Sequence, residues 1–135
     1  MKPWKSIMLL GLAALILGGC ATSEEAKRKA QIHFQLGTNY LIQGDSSSAL
    51  RELLEAEKID PKDAQIRFAL GWAYSAKGRY PQALEKFQEA LKLDPKFTES
   101  YNAMGATYLE MGKWDEAIEA FERAVKDLLY LTPFY

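Results

Sequence analysis

Covalent chemistry and metal binding in proteins fall mostly to cysteine and histidine, and this chain has one of each, Cys20 and His33. A lone cysteine cannot close an internal disulfide, and a lone histidine excludes the multi-histidine metal sites. The two form no pair for nucleophilic catalysis, and no glycine-rich loop offers its amides to a phosphate. Glu85, Lys86, Glu89 and Lys92 fall three and four residues apart, the spacing of paired charges on a solvated helix face. These patterns point away from an enzyme, and no cofactor, metal or small-molecule substrate is expected. What remains is a thiol suited to attachment and three aromatic side chains, Phe34, Phe68 and Trp72, suited to gripping another protein.

The thiol stands at the end of a leader. Lys2 and Lys5 precede an apolar run from Ile7 to Leu17, and Gly18, Gly19 and Cys20 follow. A charged start, a short apolar stretch and small residues at its end read as a secretory signal peptide over 1–19. The run is shorter than the roughly 20 apolar residues that a transmembrane helix needs. Leu17-Gly18-Gly19-Cys20 resembles the bacterial lipobox. That resemblance implies that Cys20 is lipidated on sulfur, that the leader is cut before it, and that the new amine is acylated. The other reading is an uncleaved apolar anchor that happens to end at Cys20. Several acyl chains, at about 0.8 kcal/mol per buried CH₂, hold a protein on a membrane far more firmly than one. Ala21 in place of aspartate favours transfer to the outer membrane under the enterobacterial sorting pattern. Residues 20–29 then serve as a tether into the first helix, with Ser23 as its cap and Glu24 and Glu25 in its first turn. Lys27, Arg28 and Lys29 read as a solvated helix face, the alternative being contact with anionic lipid headgroups.

Beyond the tether the chain repeats itself. Leu36-Gly37-x-x-Tyr40 recurs as Leu70-Gly71-x-x-Tyr74 and as Met104-Gly105-x-x-Tyr108, at intervals of 34 residues. A second glycine (Gly44, Gly78, Gly112) follows each time, then an alanine (Ala49, Ala83, Ala117) and a large apolar residue (Leu53, Phe87, Phe121). This period with these residue types resembles the tetratricopeptide repeat, a helix–turn–helix unit. The resemblance implies an all-α solenoid of three repeats, at 30–63, 64–97 and 98–131, with 132–135 as a tail or the start of another repeat.

Each repeat should hold a helix A, a tight turn and a helix B. Gly37, Gly71 and Gly105 sit mid-helix, where glycine costs about 1 kcal/mol relative to alanine. Met three times, that cost implies close approach of helix B, with Ala49, Ala83 and Ala117 as the facing residues. Tyr40, Tyr74 and Tyr108 follow three positions later on the same face. Gly44, Gly78 and Gly112 are placed to end helix A in the left-handed region. Pro81 suits the first turn of a helix B, and Asp60-Pro61 and Asp94-Pro95 close two B helices. The third repeat has Leu129 in place of that proline, so its helix B is expected to run longer. Ser46 replaces the aromatic of Tyr80 and Trp114, and His33, Arg67 and Tyr101 replace the family's tryptophan. His33 is therefore read as a packing residue.

Stacked repeats of this family form a superhelix whose concave wall is made by A helices. Carried onto this chain, the family's concave positions include Phe34, Thr38 and Leu41, then Phe68 and Trp72, then Asn102 and Leu109. Gln31, Ile42, Gln65, Ser75, Ala76, Glu99, Ala106 and Glu110 complete the set. An apolar groove of this kind marks a surface for a protein partner, with Trp72 as its first hot spot. The alternative is that Phe34, Phe68 and Trp72 pack among themselves as core. The lysine and asparagine set with which related domains clamp a terminal carboxylate is missing. A formal net charge of −1 gives no basic face for nucleic acid.

Lipobox, tether and repeats together resemble the pilotin-type lipoproteins of type IV pilus assembly. Asp127-Leu128-Leu129-Tyr130-Leu131-Thr132-Pro133 is similar to the Asp-Pro-Leu-Tyr-x-Thr-Pro stretch of that family, with Leu128 in place of its first proline. The resemblance implies a lipid-anchored scaffold at the outer membrane, facing the periplasm, that helps secretin subunits assemble through protein contacts. The other reading is an adaptor that recruits a cell-wall hydrolase or protease. Repeat arrays need polar caps, and Phe134-Tyr135 falls where a further helix A would begin, so truncation is expected. A tail folded back as a cap, or a partner covering the face, are the alternatives.

Overall fold

Proline and glycine punctuate this chain at the places where helices stop. The computed structural model describes the backbone of residues 4–131 and the side chains of residues 23–126. It contains helices α1 (Trp4–Ile42), α2 (Ser46–Ile59), α3 (Ala64–Ala76), α4 (Tyr80–Leu93), α5 (Glu99–Glu110) and α6 (Trp114–Leu131). Helices α1, α3 and α5 are the A helices, and α2, α4 and α6 the B helices. The Cys20 side chain and the segment from Thr132 to Tyr135 lie outside the described residues, and with them the expectations on lipidation and on the tail.

The A helices end as the glycines require. Gly78 has φ +69°, its N–H donates to Ser75 O (2.8 Å), and the Arg79 N–H donates to Tyr74 O (2.9 Å). This pair of bonds closes a helix through a left-handed residue, which a Cβ would disfavour. Gly44 and Gly112 repeat the arrangement. Helix α4 carries proline in its first turn, and α2 and α4 end one residue before Asp60-Pro61 and Asp94-Pro95. Helix α6 has 18 residues where α2 and α4 have 14, as the missing proline implies.

Helix α1 is longer than the reading of a tether predicts. It runs unbroken from the leader through Ser23 into the first repeat, so Ser23 lies inside a helix and not at its cap. No proline occurs between Pro3 and Pro61, and Lys27 pairs with Glu24 one turn away at 3.7 Å. Nothing local stops the helix. Among the described residues no helix is long and apolar enough to cross a membrane.

Within each repeat A packs on B, and each B packs on the next A. The A helices also touch one another from repeat to repeat, whereas among the described residues the B helices do not. The A row is therefore the inner, concave side.

The three mid-helix glycines do admit helix B, and the group that fills each notch is a large side chain. The expected alanine lies next to it in the first repeat, where Ala49 O is 3.3 Å from a Cβ on Gly37. A Cβ on Gly71 would collide with the ring of Phe87, one on Gly105 would lie 2.6 Å from that of Phe121, and one on Gly37 would lie 2.5 Å from Leu53. Ala49, Ala83 and Ala117 are wholly buried beside these contacts. Their smallness lets the backbones approach, while the large side chain four positions on fills the notch. Ala30, Leu50, Leu53, Ile66 and Leu70 form the core between the first two repeats, and Phe87 with Ala103 and Met104 the core between the last two.

Candidate functional site

The concave wall opens into two hollows that meet at Trp72. The first, about 400 Å³, is lined by Phe34, Thr38 and Leu41 of α1, Gln65, Phe68, Ala69 and Trp72 of α3, and Phe97 and Glu99 at the start of α5. The second, about 270 Å³, lies between α3 and α5, bounded by Trp72, Ser75, Ala76, Tyr80, Phe87, Ala103, Ala106, Thr107 and Glu110. Trp72 is 50% exposed and stands as the ridge between them.

Phe68 belongs to both readings of the aromatic set. Its ring packs against Phe87 (5.6 Å between centroids) and edge-on against Phe97 (5.0 Å) and Trp72 (6.4 Å), while it also lines the first hollow. Such edge-to-face contacts hold an aromatic wall in place without burying its outer surface. Phe34, Thr38 and Leu41 are half-buried on the same wall.

Asn102 and Leu109 are exposed and line neither of these two hollows. They stand one register on from Phe68 and Ser75, the side of an A helix that meets the next repeat. Of the positions expected from the third repeat, Glu99 borders the first hollow and Ala106 and Glu110 the second, joined there by Ala103 and Thr107. Phe97 was not anticipated. Its register partner, Asp63, caps α3 by accepting from the N–H groups of Gln65 (2.8 Å) and Ile66 (3.3 Å). In the third repeat the same position gives up the cap, and α5 starts without a side-chain cap bond. The signal was the break in register itself, aspartate replaced by phenylalanine.

The outer side carries a polar feature. Arg67 donates to Glu57 of α2, to Glu89 of α4 (2.9 Å) and to the Pro61 carbonyl (2.9 Å). Lys86 donates to the same two carboxylates at 2.8 and 2.9 Å. The side chains of Arg67 and Lys86 are only 18% and 15% exposed. Lys86 and Glu89 are thus not the solvated residues their spacing implies, because Glu57 and Arg67 reach them from neighbouring helices. Burial works to lower the Lys86 pKa, but the hydrogen bonds to Glu57 and Glu89 outweigh it and the net shift is upward. His33 likewise is more than a packing residue: its Nδ1–H donates to Glu52 at 2.9 Å. That bond, foremost, holds the Glu52 carboxyl below its ordinary range. Tyr101, at the same register, lies under the Arg123 guanidinium at 5.9 Å. In each repeat this position of helix A meets a polar residue of helix B.

A TPR repeat model matches residues 37–78 and 72–112, and a tetratricopeptide repeat model matches 98–127. No curated protein matches the sequence significantly. Among solved structures, that of MamA is similar with TM-score 0.73 and 22% identity, over 80% of this chain and 63% of MamA, so the chain spans under two thirds of that relative. The TPR2B domain of yeast Sti1, in complex with pHsp70, is similar at TM-score 0.73 and 21% identity over 76% of this chain and 82% of that one. The second TPR of Spaghetti, bound to the HSP90 peptide SRMEEVD, has TM-score 0.71 and 20% identity over 78% and 96%.

Proposed function

The chain belongs to the tetratricopeptide-repeat family, and on that premise we propose that it is a membrane-anchored scaffold that binds a protein partner through the groove of its A helices. The observation that carries this reading is the half-exposed Trp72 between two open apolar hollows. An apolar ridge left in water on a concave wall is the form of a site that a partner's side chains complete. The similar domains of Spaghetti and Sti1 are described as bound to an HSP90 peptide and to pHsp70, which supports a peptide segment as the occupant. The role is one of binding and not of catalysis.

The scaffold is proposed to act in type IV pilus assembly, at the outer membrane and facing the periplasm, where it helps secretin subunits assemble. Two sequence features support this: Leu17-Gly18-Gly19-Cys20, which resembles a lipobox, and the stretch from Asp127 to Pro133. A covalent lipid on Cys20 is the proposed anchor. Cys20→Ser should then leave a soluble or uncleaved precursor, and normal fatty-acid labelling of that variant would refute the anchor. Deletion of the gene should abolish secretin multimers, and the protein should co-purify with the secretin. Multimers that persist unchanged in the deletion strain would sink the pilus assignment.

A further inference from the structure

We propose that the groove selects apolar segments that carry basic residues and rejects acidic ones, an inference that rests on the groove being the partner site. Trp72 and the flanking hollows supply an apolar floor, but the charge at the rim is of one sign. Glu99 borders the first hollow and Glu110 the second, and no lysine or arginine lines either among the described residues. Both carboxylates are exposed, and neither has a hydrogen-bond or ion-pair partner among the described residues.

Four cations of the second repeat and its turn are engaged elsewhere, and the other two, Lys92 and Lys96, are exposed and line neither hollow. Lys77 donates to Ser47 in the neighbouring turn at 2.8 Å, and Arg79 lies over the Tyr74 ring at 5.0 Å. Arg67 and Lys86 are held by Glu57 and Glu89 on the outer side. An acidic segment entering the groove would therefore meet two unneutralised carboxylates and no cation in the lining of either hollow. A basic one would gain two charge-assisted contacts at the rim.

The placement also sets a spacing. Glu99 and Glu110 open and close α5, and eleven residues of helix rise about 16 Å. An extended segment that reaches both carries its basic residues about five positions apart, at roughly 3.3 Å per residue. The apolar side chains that flank Trp72 lie between them. This chemistry is opposite to that of SRMEEVD, the acidic peptide on the similar Spaghetti domain.

The test is a selection of binders from an array of random ten-residue peptides, probed with the full chain in a mild non-ionic detergent at low salt. Peptides retained by the chain should favour lysine and arginine over aspartate and glutamate by about fivefold, as two exposed rim pairs allow. Glu99→Gln combined with Glu110→Gln should erase that preference while apolar peptides are still retained. Trp72→Ala should empty the array with little change in melting temperature. Retained peptides that are neutral or acidic on average, yet lost with Trp72→Ala, would overturn the charge selection and leave the groove intact as a binding site. Retention that is indifferent to Trp72→Ala, or no retention by the parent chain, would overturn the groove reading and this inference together.

Discussion

Ser100 is wholly buried in the first turn of α5, and its hydroxyl has no hydrogen-bond partner among the described residues. The residue one register earlier is Ile66, equally buried and fully apolar. A buried hydroxyl left unpaired costs about 1–3 kcal/mol, so Ser100→Ala should stabilise the fold by about 1 kcal/mol. The midpoint of urea unfolding should rise with an unchanged slope; a lower midpoint would mean that the hydroxyl is bonded in solution. Glu52 makes the opposite case, a carboxylate whose hydrogen bond from His33 lowers its pKa from 4.5. Its folded value lies below its unfolded value, so the stabilisation is fully present above the unfolded value and is lost as pH falls through the folded one. Stability measured against pH should therefore drop below about pH 4.5, and Glu52→Gln should remove that part of the acid sensitivity. Parent and variant curves that stay parallel down to pH 2 would exclude the effect.

At the scale of the helix pair, the joint between Gly71 and Phe87 decides how closely A approaches B. Gly71→Ala puts a methyl group into the ring of Phe87, which is 1% exposed and packed against Phe68. A cost of about 2 kcal/mol is expected, at the level of other overpacked cores. Phe87→Leu should recover part of it, so a double-mutant cycle on the two sites should be non-additive by more than about 0.5 kcal/mol. Additive effects would show that the helices part without strain. That the ring of Phe87 fills the notch was not legible in the sequence, since the glycine implies a small facing residue, Ala83. Close approach of helix B was legible from residue types alone, because the glycine recurs at a fixed distance along the chain. Helix ends were legible for the same reason: Gly78, Pro81 and Asp94-Pro95 act locally. The ion cluster of Glu57, Arg67, Lys86 and Glu89 was not, since it joins three helices of two repeats and Glu57 has Leu91 as its register partner. Nor was Phe97 as a groove wall, whose position in the neighbouring repeat belongs to a helix cap. Periodicity reports what the repeats share, and the groove and the cluster are built from where they differ.

Over the whole array, stability should be graded, because each repeat leans only on its neighbours. The joint between the first and second repeats combines a buried apolar cluster with the four-residue ion network. The second repeat is covered on both sides: Leu84 and Leu91 of α4 pack against the core that α5 completes. Their register partners on α6, Ile118 and Val125, are each 56% exposed, and Trp114, the partner of Tyr80, is 65% exposed. The same contrast separates the two phenylalanines, since Phe87 is 1% exposed and Phe121 only half-buried. Hydrogen exchange should accordingly protect the amides of α3 and α4 most and those of α6 least. Phe87→Ala should cost about 3–5 kcal/mol and Phe121→Ala less than half as much. Because a one-dimensional array transmits loss only to the adjacent unit, the Phe121 variant should leave protection in α1 and α2 unchanged, whereas the Phe87 variant should lower it on both sides. Equal protection across α2 to α6 would mean either that the array opens as one unit or that the apolar stripe of α6 is covered in solution. Dilution separates these, since a stripe covered by another molecule regains fast exchange as the concentration falls and a cooperative array does not.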